Sequence, residues 1–405
     1  MTTIRTKPLR ARVVYTLLAI GHTLFAAAPL AIGQTQSPKG WEVLGVPAVN
    51  YNPDDKFGYG AVLQIFNYGT AGKLPYSLTI QPTIYLSTGG RRDYTVFVDA
   101  PNIGGGAWRV DAYFGHETQK AASYFGVGNK SVYDESLEED PNEKYYKFGR
   151  ERVQFMTNVQ RRIGDTRWRV LAGLGASRGR VDETADGAPT TLLSQELAGA
   201  DPPEGWSNFV RAGAVYDSRD REVHTTHGTW ADFLVQRVDE KLGSDWSYTR
   251  ATLTLRRYTA LSPTLTLAQR AILQGVSGDV PFYDMTVVQT SFKPQEGLGG
   301  AQTLRGFTRG RFLGKSLAAS NTELRWRARE LTVLGAPSSI TMVGFFDAGR
   351  VWAGDIDLSD VTRGIHVGYG GGVRLGRGPN FVVSIDAGRS RESTMSLYLG
   401  MGFLF

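Results

Sequence analysis

Three stretches of the chain carry residue types and spacings that could do chemistry. Gly175-Ala176-Ser177-Arg178-Gly179 matches the Gly-x-Ser-x-Gly pattern, in which a sharp strand-to-helix turn exposes a serine nucleophile. No helical pattern follows it, so the spacing reads as strand and no catalytic residue is assigned. His224 and His227 stand three apart in an expected turn, with no third ligand in pattern. They read as surface histidines, and neither a metal site nor a cofactor is expected. The third stretch, Leu298 to Arg311, reads LGGAQTLRGFTRGR. Its Gly299, Gly300 and Gly306 permit tight turns of the backbone. The chain has no cysteine. That removes disulfides, thiolate metal sites and a cysteine nucleophile, and it suits passage through an oxidising periplasm. The chain is not expected to be an enzyme.

The elements that would hold such a loop must be strands. The chain carries 49 Gly, 18 Tyr, 19 Phe and 8 Trp in 405 residues, with 41% hydrophobic residues and a mean hydropathy of -0.24. A helical membrane protein needs runs of roughly 20 apolar residues, and none follows the first thirty or so positions. Aromatic-rich, glycine-rich and moderately hydrophobic chains suit transmembrane strands, with lipid on one face and water on the other. The net charge of +6 includes Arg5, Lys7, Arg10 and Arg12 ahead of the first apolar stretch. The basic balance therefore gives no reason to expect nucleic acid. Those four residues, the apolar run Val13 to Ala28 and the small residues up to Gly33 read as a secretory signal over 1–33. A short periplasmic segment is expected over 34–56 and a transmembrane barrel over 57–405.

Period-2 alternation gives sixteen strand candidates and no convincing amphipathic helix. They are 57–67, 74–87, 91–100, 106–116, 120–128, 144–162, 166–181, 207–218, 228–238, 245–260, 264–275, 319–330, 338–351, 364–375, 380–390 and 395–405. The last sets Met395, Leu397, Leu399, Met401, Phe403 and Phe405 on one face. Around Thr322 the polar face is Glu323, Arg325, Arg327 and Arg329. Such density demands a watery lumen, because an arginine facing lipid costs roughly 2–4 kcal/mol at the midplane. Short turns at 87–91, 164–166, 261–263 and 376–379 are expected at the periplasmic end. Longer links at 129–143, 182–205, 276–318 and 352–363 are expected outside, an alternation typical of outer-membrane barrels.

Tyr398-x-Gly400-x-x-Phe403-x-Phe405 matches the β-signal that bacterial outer-membrane proteins share, an edge strand offered for β-augmentation that then closes the barrel. Leu304-Arg305-Gly306-Phe307, after Gly299-Gly300, resembles the hallmark loop of BamA/TamA-type assembly-factor barrels of the bacterial surface antigen family. Further segments agree in order and spacing. Tyr216-Asp217-Ser218-Arg219-Asp220 with Gly228 resembles the family's periplasmic Asp-x-Arg turn, although Thr226-His227 replaces the usual proline before that glycine. Asn321-Thr322-Glu323-Leu324, Phe345-Phe346-Asp347-Ala348-Gly349-Arg350-Val351-Trp352 and Gly370-Gly371-Gly372-Val373-Arg374 resemble the strands that follow. Tyr124-Phe125-Gly126-Val127-Gly128 agrees more weakly and extends the resemblance over most of the barrel.

The resemblance implies an all-β, sixteen-stranded antiparallel barrel whose sixth extracellular loop folds into the lumen, where Arg305 pairs with Glu323 and Asp347. The residues agree with that reading. Glu323 lies on a polar strand face, Asp347 sits between apolar neighbours, and a guanidinium fork suits two carboxylates. Arg309 and Arg311 are expected to be replaceable. Family members insert barrels or move polypeptides through the outer membrane and carry periplasmic POTRA domains. About twenty residues between the cleavage site and the first expected strand leave no room for one, so a short form is expected. The function expected is outer-membrane protein biogenesis, or translocation of polypeptide or lipid, with a separate periplasmic partner. The alternative is a passive channel or structural barrel that keeps its plug loop for stability. Expected partners are outer-membrane lipid and lipopolysaccharide, and the barrel assembly machinery during biogenesis.

Overall fold

The computed structural model describes residues 39–52, 56–138, 144–184, 190–333 and 335–405, so the expected signal at 1–33 lies outside the described residues. Among the described residues there are eighteen strands, all but two of them in one sheet. They are β1 Trp41–Asn52, β2 Lys56–Asn67, β3 Leu78–Ser87, β4 Arg91–Ile103, β5 Trp108–Ser123, β6 Lys147–Arg162, β7 Trp168–Asp182, β8 Gly205–Asp217, β9 Gly228–Val238, β10 Tyr248–Ser262 and β11 Leu265–Gly278. Two-residue strands β12 (Val287–Val288) and β13 (Gln295–Glu296) pair with each other, and the barrel resumes with β14 Ser316–Val333, β15 Ala336–Trp352, β16 His366–Arg377, β17 Phe381–Arg389 and β18 Ser396–Met401. The sixteen barrel strands pair antiparallel in chain order, with β11 next to β14. β1 and β18 lie alongside each other, which closes the sheet into a barrel. Among the described residues no hydrogen-bonded ladder joins these two strands.

The barrel is polar within and apolar without. On β10, Thr252 and Thr254 are buried, whereas their neighbours Leu253 and Leu255 are exposed. Phe233, Leu324, Trp326, Met342 and Phe346 continue the exposed apolar set, and Arg211, Gln236, Arg250, Arg270 and Asn321 the buried polar set. A water-soluble sheet shows the opposite preference. Period-2 alternation permits this inversion only where lipid bathes the outer face and the inner face binds its own polar groups.

The strand count agrees with the sequence reading through two compensating differences. Residues 106–116 and 120–128, expected as two strands, form one strand, β5, whose alternation is broken by a register shift between Gln119 and Ala122. The segment 34–56, expected as a periplasmic tail, contains β1. Gly45 and Pro47 disguise that strand, yet proline is tolerated at a sheet edge because its missing N–H can face away from the partner. Adding β1 reverses the direction of every strand before β5. The turn at 87–91 therefore lies at the same end as the long links, with Arg91 3.7 Å from Glu117 and Glu117 paired to loop residue Arg309. A second shift, between Arg327 and Arg329, removes Arg329 from the lumen face and leaves it exposed.

This topology predicts surface labelling. Cysteines introduced at Thr88 and Glu138 should react with impermeant maleimide on intact cells, and one at Asp165 should not. Protection of Thr88→Cys together with labelling at Glu138→Cys would return β1 to the periplasm.

Candidate functional site

Between β11 and β14 the chain leaves the wall and turns into the lumen over residues 279–315. Leu298, Leu304, Phe307 and Phe312 from this loop pack against Ile272, Leu317, Ala319 and Val351 of the wall. This apolar contact holds the loop down, and it carries Arg305 to side chains of three strands, β14, β15 and β17. The Arg305 guanidinium donates from Nε and Nη2 to the two Asp347 oxygens at 2.8 and 3.0 Å, and from Nη1 to Glu323 at 2.9 Å and Asp386 at 3.1 Å. Its backbone N–H also donates to Asp347, and the Phe345 ring lies 3.5 Å beneath the guanidinium carbon. Arg305, Glu323 and Asp347 are wholly buried.

The sequence reading brought together three of the residues in this cluster; the structure adds more. Arg325 bridges to Glu323 at 2.7 Å, and Arg374 grips Asp386 at 2.6 and 3.0 Å. Asn321 donates to Asp347 and to the Thr303 carbonyl. Three guanidinium groups thus meet three carboxylates, which balances charge where desolvation of an unpaired ion would cost several kcal/mol. Asp386 was legible in principle as an acid within an apolar strand, but its partner belongs to a loop 81 residues earlier. The loop backbone also presses on the wall. A Cβ at Gly368 would fall on the Arg305 carbonyl, so that position admits only glycine. Gly306, at φ +96°, donates its N–H to the Tyr398 hydroxyl at 2.9 Å. Gly299 and Gly300 lie in the same loop, buried and with positive φ.

Two expectations need correction. Arg309 and Arg311, expected to be free of partners and so replaceable, are both anchored. Arg309 bridges Glu117 and Glu296, and Arg311, nearly fully buried, binds Glu392 and Ser131. Both tie the loop to neighbouring elements that no sequence pattern connects to it. The last strand stops at Met401 rather than reaching 405. Gly402, at φ +81°, turns the chain off the wall, after Gly400 has paired with Ser384 in the ladder. Phe403 then lies 4.4 Å from the Arg325 guanidinium, and Phe405 lies 5.0 and 5.1 Å from Arg325 and Arg270. Cation–π attraction to lumen arginines supplies the physical reason, since a strand-only reading sees two aromatics suited to lipid.

The remaining candidates resolve simply. Asp217 and Arg219 clasp each other at 2.9 Å in the turn after β8, with the Arg219 guanidinium 4.4 Å over Trp230. Ser177 lies inside β7 and accepts from Arg152, with no strand-to-helix turn around it. His227 faces Asp220, while His224 has φ +57° and meets the Phe403 ring edge-on. Burial, followed by the nearby Arg221, Arg327 and Arg325, lowers the His224 pKa to about 4.

The family model described as the Omp85 superfamily domain matches residues 107–386. BamA from Haemophilus ducreyi lacking POTRA domains 1–3 is similar in structure, with a TM-score of 0.54 and 12% identity over 96% of this chain and 78% of that one. CdiB from Escherichia coli gives 0.56 and 11% over 91% and 62%, and CdiB from Acinetobacter baumannii gives 0.50 and 14% over 90% and 59%. At such identities the likeness is one of fold, and the chain spans less than two thirds of either CdiB. No curated protein matches it.

Arg305→Ala should leave the buried Asp347 carboxylate without a guanidinium partner and the network one positive charge short, a loss of about 3–5 kcal/mol before discounting for lumen water. Arg305→Lys should recover part of it, because an ammonium lacks the fork. The measurement is the unfolding temperature of the purified barrel and loop proteolysis, with exposed Arg363→Ala as control; equal behaviour of Arg305→Ala and Arg363→Ala would refute the anchor. His224 gives a pH test. Its folded pKa lies below its unfolded value of 6.5, so the unfolded state takes up the proton first. Stability should fall as pH drops from about 6.5 towards 4. His224→Asn, which tolerates positive φ, should lose less stability over that range in the same melting assay. An identical pH profile for the two proteins would contradict the buried neutral imidazole.

Proposed function

Because this chain belongs to the Omp85 superfamily of outer-membrane β-barrels, we propose that it handles polypeptide at the seam between β1 and β18, in outer-membrane protein insertion or translocation. The seam carries the reading. β1 runs for 12 residues and β18 for 6, so much of the β1 edge has no neighbour to pair with. Unpaired N–H and C=O groups on a strand edge are a template for another extended segment. Pro47 removes one donor from β1 and so weakens any ladder formed there. The likeness in fold to BamA and CdiB supports the same class of activity. A periplasmic partner protein would deliver the client, and residues 1–33 would act as the export signal. The barrel assembly machinery would place the barrel itself, with its apolar belt against lipid and lipopolysaccharide.

A second reading has its own support. The loop at 279–315 is bonded to the wall through Arg305, Arg309 and Arg311, which favours a structural barrel with a fixed plug.

Disulfide locking separates the two. Cysteine pairs would be introduced between Val43–Pro47 and Ser396–Met401, and the outer-membrane and secreted proteins compared with those of the wild-type and deletion strains. A locked seam should reproduce the deletion phenotype and recover on reduction. Wild-type protein profiles with a fully oxidised seam would leave the structural barrel as the reading.

A further inference from the structure

The register of β10 with β11 places Arg256 directly opposite Arg270. Both belong to the lumen-facing set, Arg270 buried and Arg256 half-buried. Like charges directly opposite on paired strands repel. Four lumen arginines are paired with carboxylates, Arg109 with Asp99, Arg219 with Asp217, Arg325 with Glu323 and Arg374 with Asp386. Arg211 and Arg250 donate to neutral oxygens instead, and neither stands opposite a second arginine in the strand register. Arg256 and Arg270 have no carboxylate partner among the described residues. Arg270 donates only to neutral oxygens, those of Asn321, Gln295 and the Gln302 carbonyl. Arg256 makes no hydrogen bond or ion pair among the described residues; its Nε is buried without a partner, and its guanidinium lies 5.8 Å from the Trp230 ring. Asp232, two residues along β9 from Trp230, takes Ser291 and the Trp230 N–H on Oδ2 and makes no ion pair with Arg256, its Oδ1 having no hydrogen-bond partner.

Tyr258 is the next lumen-facing residue of β10. It is almost wholly buried, yet its hydroxyl has no partner. The Phe405 ring stands 6.1 Å from the Tyr258 ring and 5.1 Å from the Arg270 guanidinium. The place therefore offers two positive charges that form no direct ion pair among the described residues, and two unused donors, beside the Phe405 ring. An apolar occupant would leave the donors unsatisfied, a cation would be repelled, and water would satisfy the donors without relieving the charge. An oxyanion does both, with charge-assisted hydrogen bonds to guanidinium.

We propose that Arg256, Arg270 and Tyr258 form an oxyanion-binding site in the lumen, which takes the phosphate or carboxylate group of a ligand beside Phe405. Arg256 and Tyr258 supply the hydrogen bonds, and Arg270 supplies field and backing. The site is separate from the seam and does not depend on the polypeptide-handling reading.

The test uses the full chain folded in detergent and titrated with inorganic phosphate, or with acetate, against sodium chloride at matched ionic strength. Unfolding temperature is read by loss of heat-modifiable mobility. The wild type should show a saturable rise of roughly 2–4 °C with phosphate or acetate. A response to phosphate alone assigns a phosphate-bearing ligand, and one to acetate a carboxylate. Arg256→Gln and Tyr258→Phe should each lose the rise, while Arg257→Gln, which faces outward, should keep it. Without anion, Arg256→Gln should be at least as stable as the wild type, because the repulsion is gone. If that variant fails to fold, Tyr258→Phe carries the test alone. An absent rise, the same rise in chloride, or an undiminished rise in Tyr258→Phe would overturn the site.

Discussion

Three guanidinium groups and three carboxylates meet out of water where the loop at 279–315 crosses β14 to β17. Desolvating such ions costs several kcal/mol each, and the cost is recovered only where geometry and hydrogen bonding are nearly complete. Here they are: Asp347 takes both forks of Arg305 and its backbone N–H, and Asp386 is shared by Arg305 and Arg374. The network is neutral as a whole and charged at every member. It therefore tolerates no half-formed state, which makes it a register pin for the loop rather than a simple source of stability. The glycines around it follow from that constraint, since the Arg305 backbone has to touch β16 at Gly368.

The same economy of charge organises the rest of the lumen. A barrel with lipid outside has to bury its polar residues inward, and each buried arginine then seeks an acid or an aromatic face. Arg109, Arg152, Arg311 and Arg325 find acids, and Arg325 and Arg270 also gather the Phe403 and Phe405 rings. Drawing those aromatics inward shortens β18 and leaves β1 with an unpaired edge. The plug and the seam are thereby linked: Tyr398 on β18 holds the Gly306 N–H, so the strand bordering the seam is fastened to the loop that fills the lumen. Movement of one would be felt by the other.

Much of this was legible in the residues. Alternation identified most of the strands, because a side-chain period of two is a local property of the backbone and survives without knowledge of partners. Glu323 and Asp347 could be assigned to the lumen for the same reason. What escaped were the places where alternation is interrupted: the bulges near Gln119 and Arg327, and β1, where Gly45 and Pro47 hide a strand permitted only at an edge. One unseen strand then inverted the expected placement of the 87–91 turn.

The sequence by itself determined the inverted barrel, its strand periodicity and the loop that carries Arg305, since these rest on spacing between near neighbours. Only the tertiary structure decided that Asp386 and Arg374 complete the anchor, that Arg309 and Arg311 are held, and that Phe403 and Phe405 turn inward. Each depends on a partner from a distant strand or loop. Barrel closure sets that proximity through register and shear around the whole sheet, and local pattern carries no record of it.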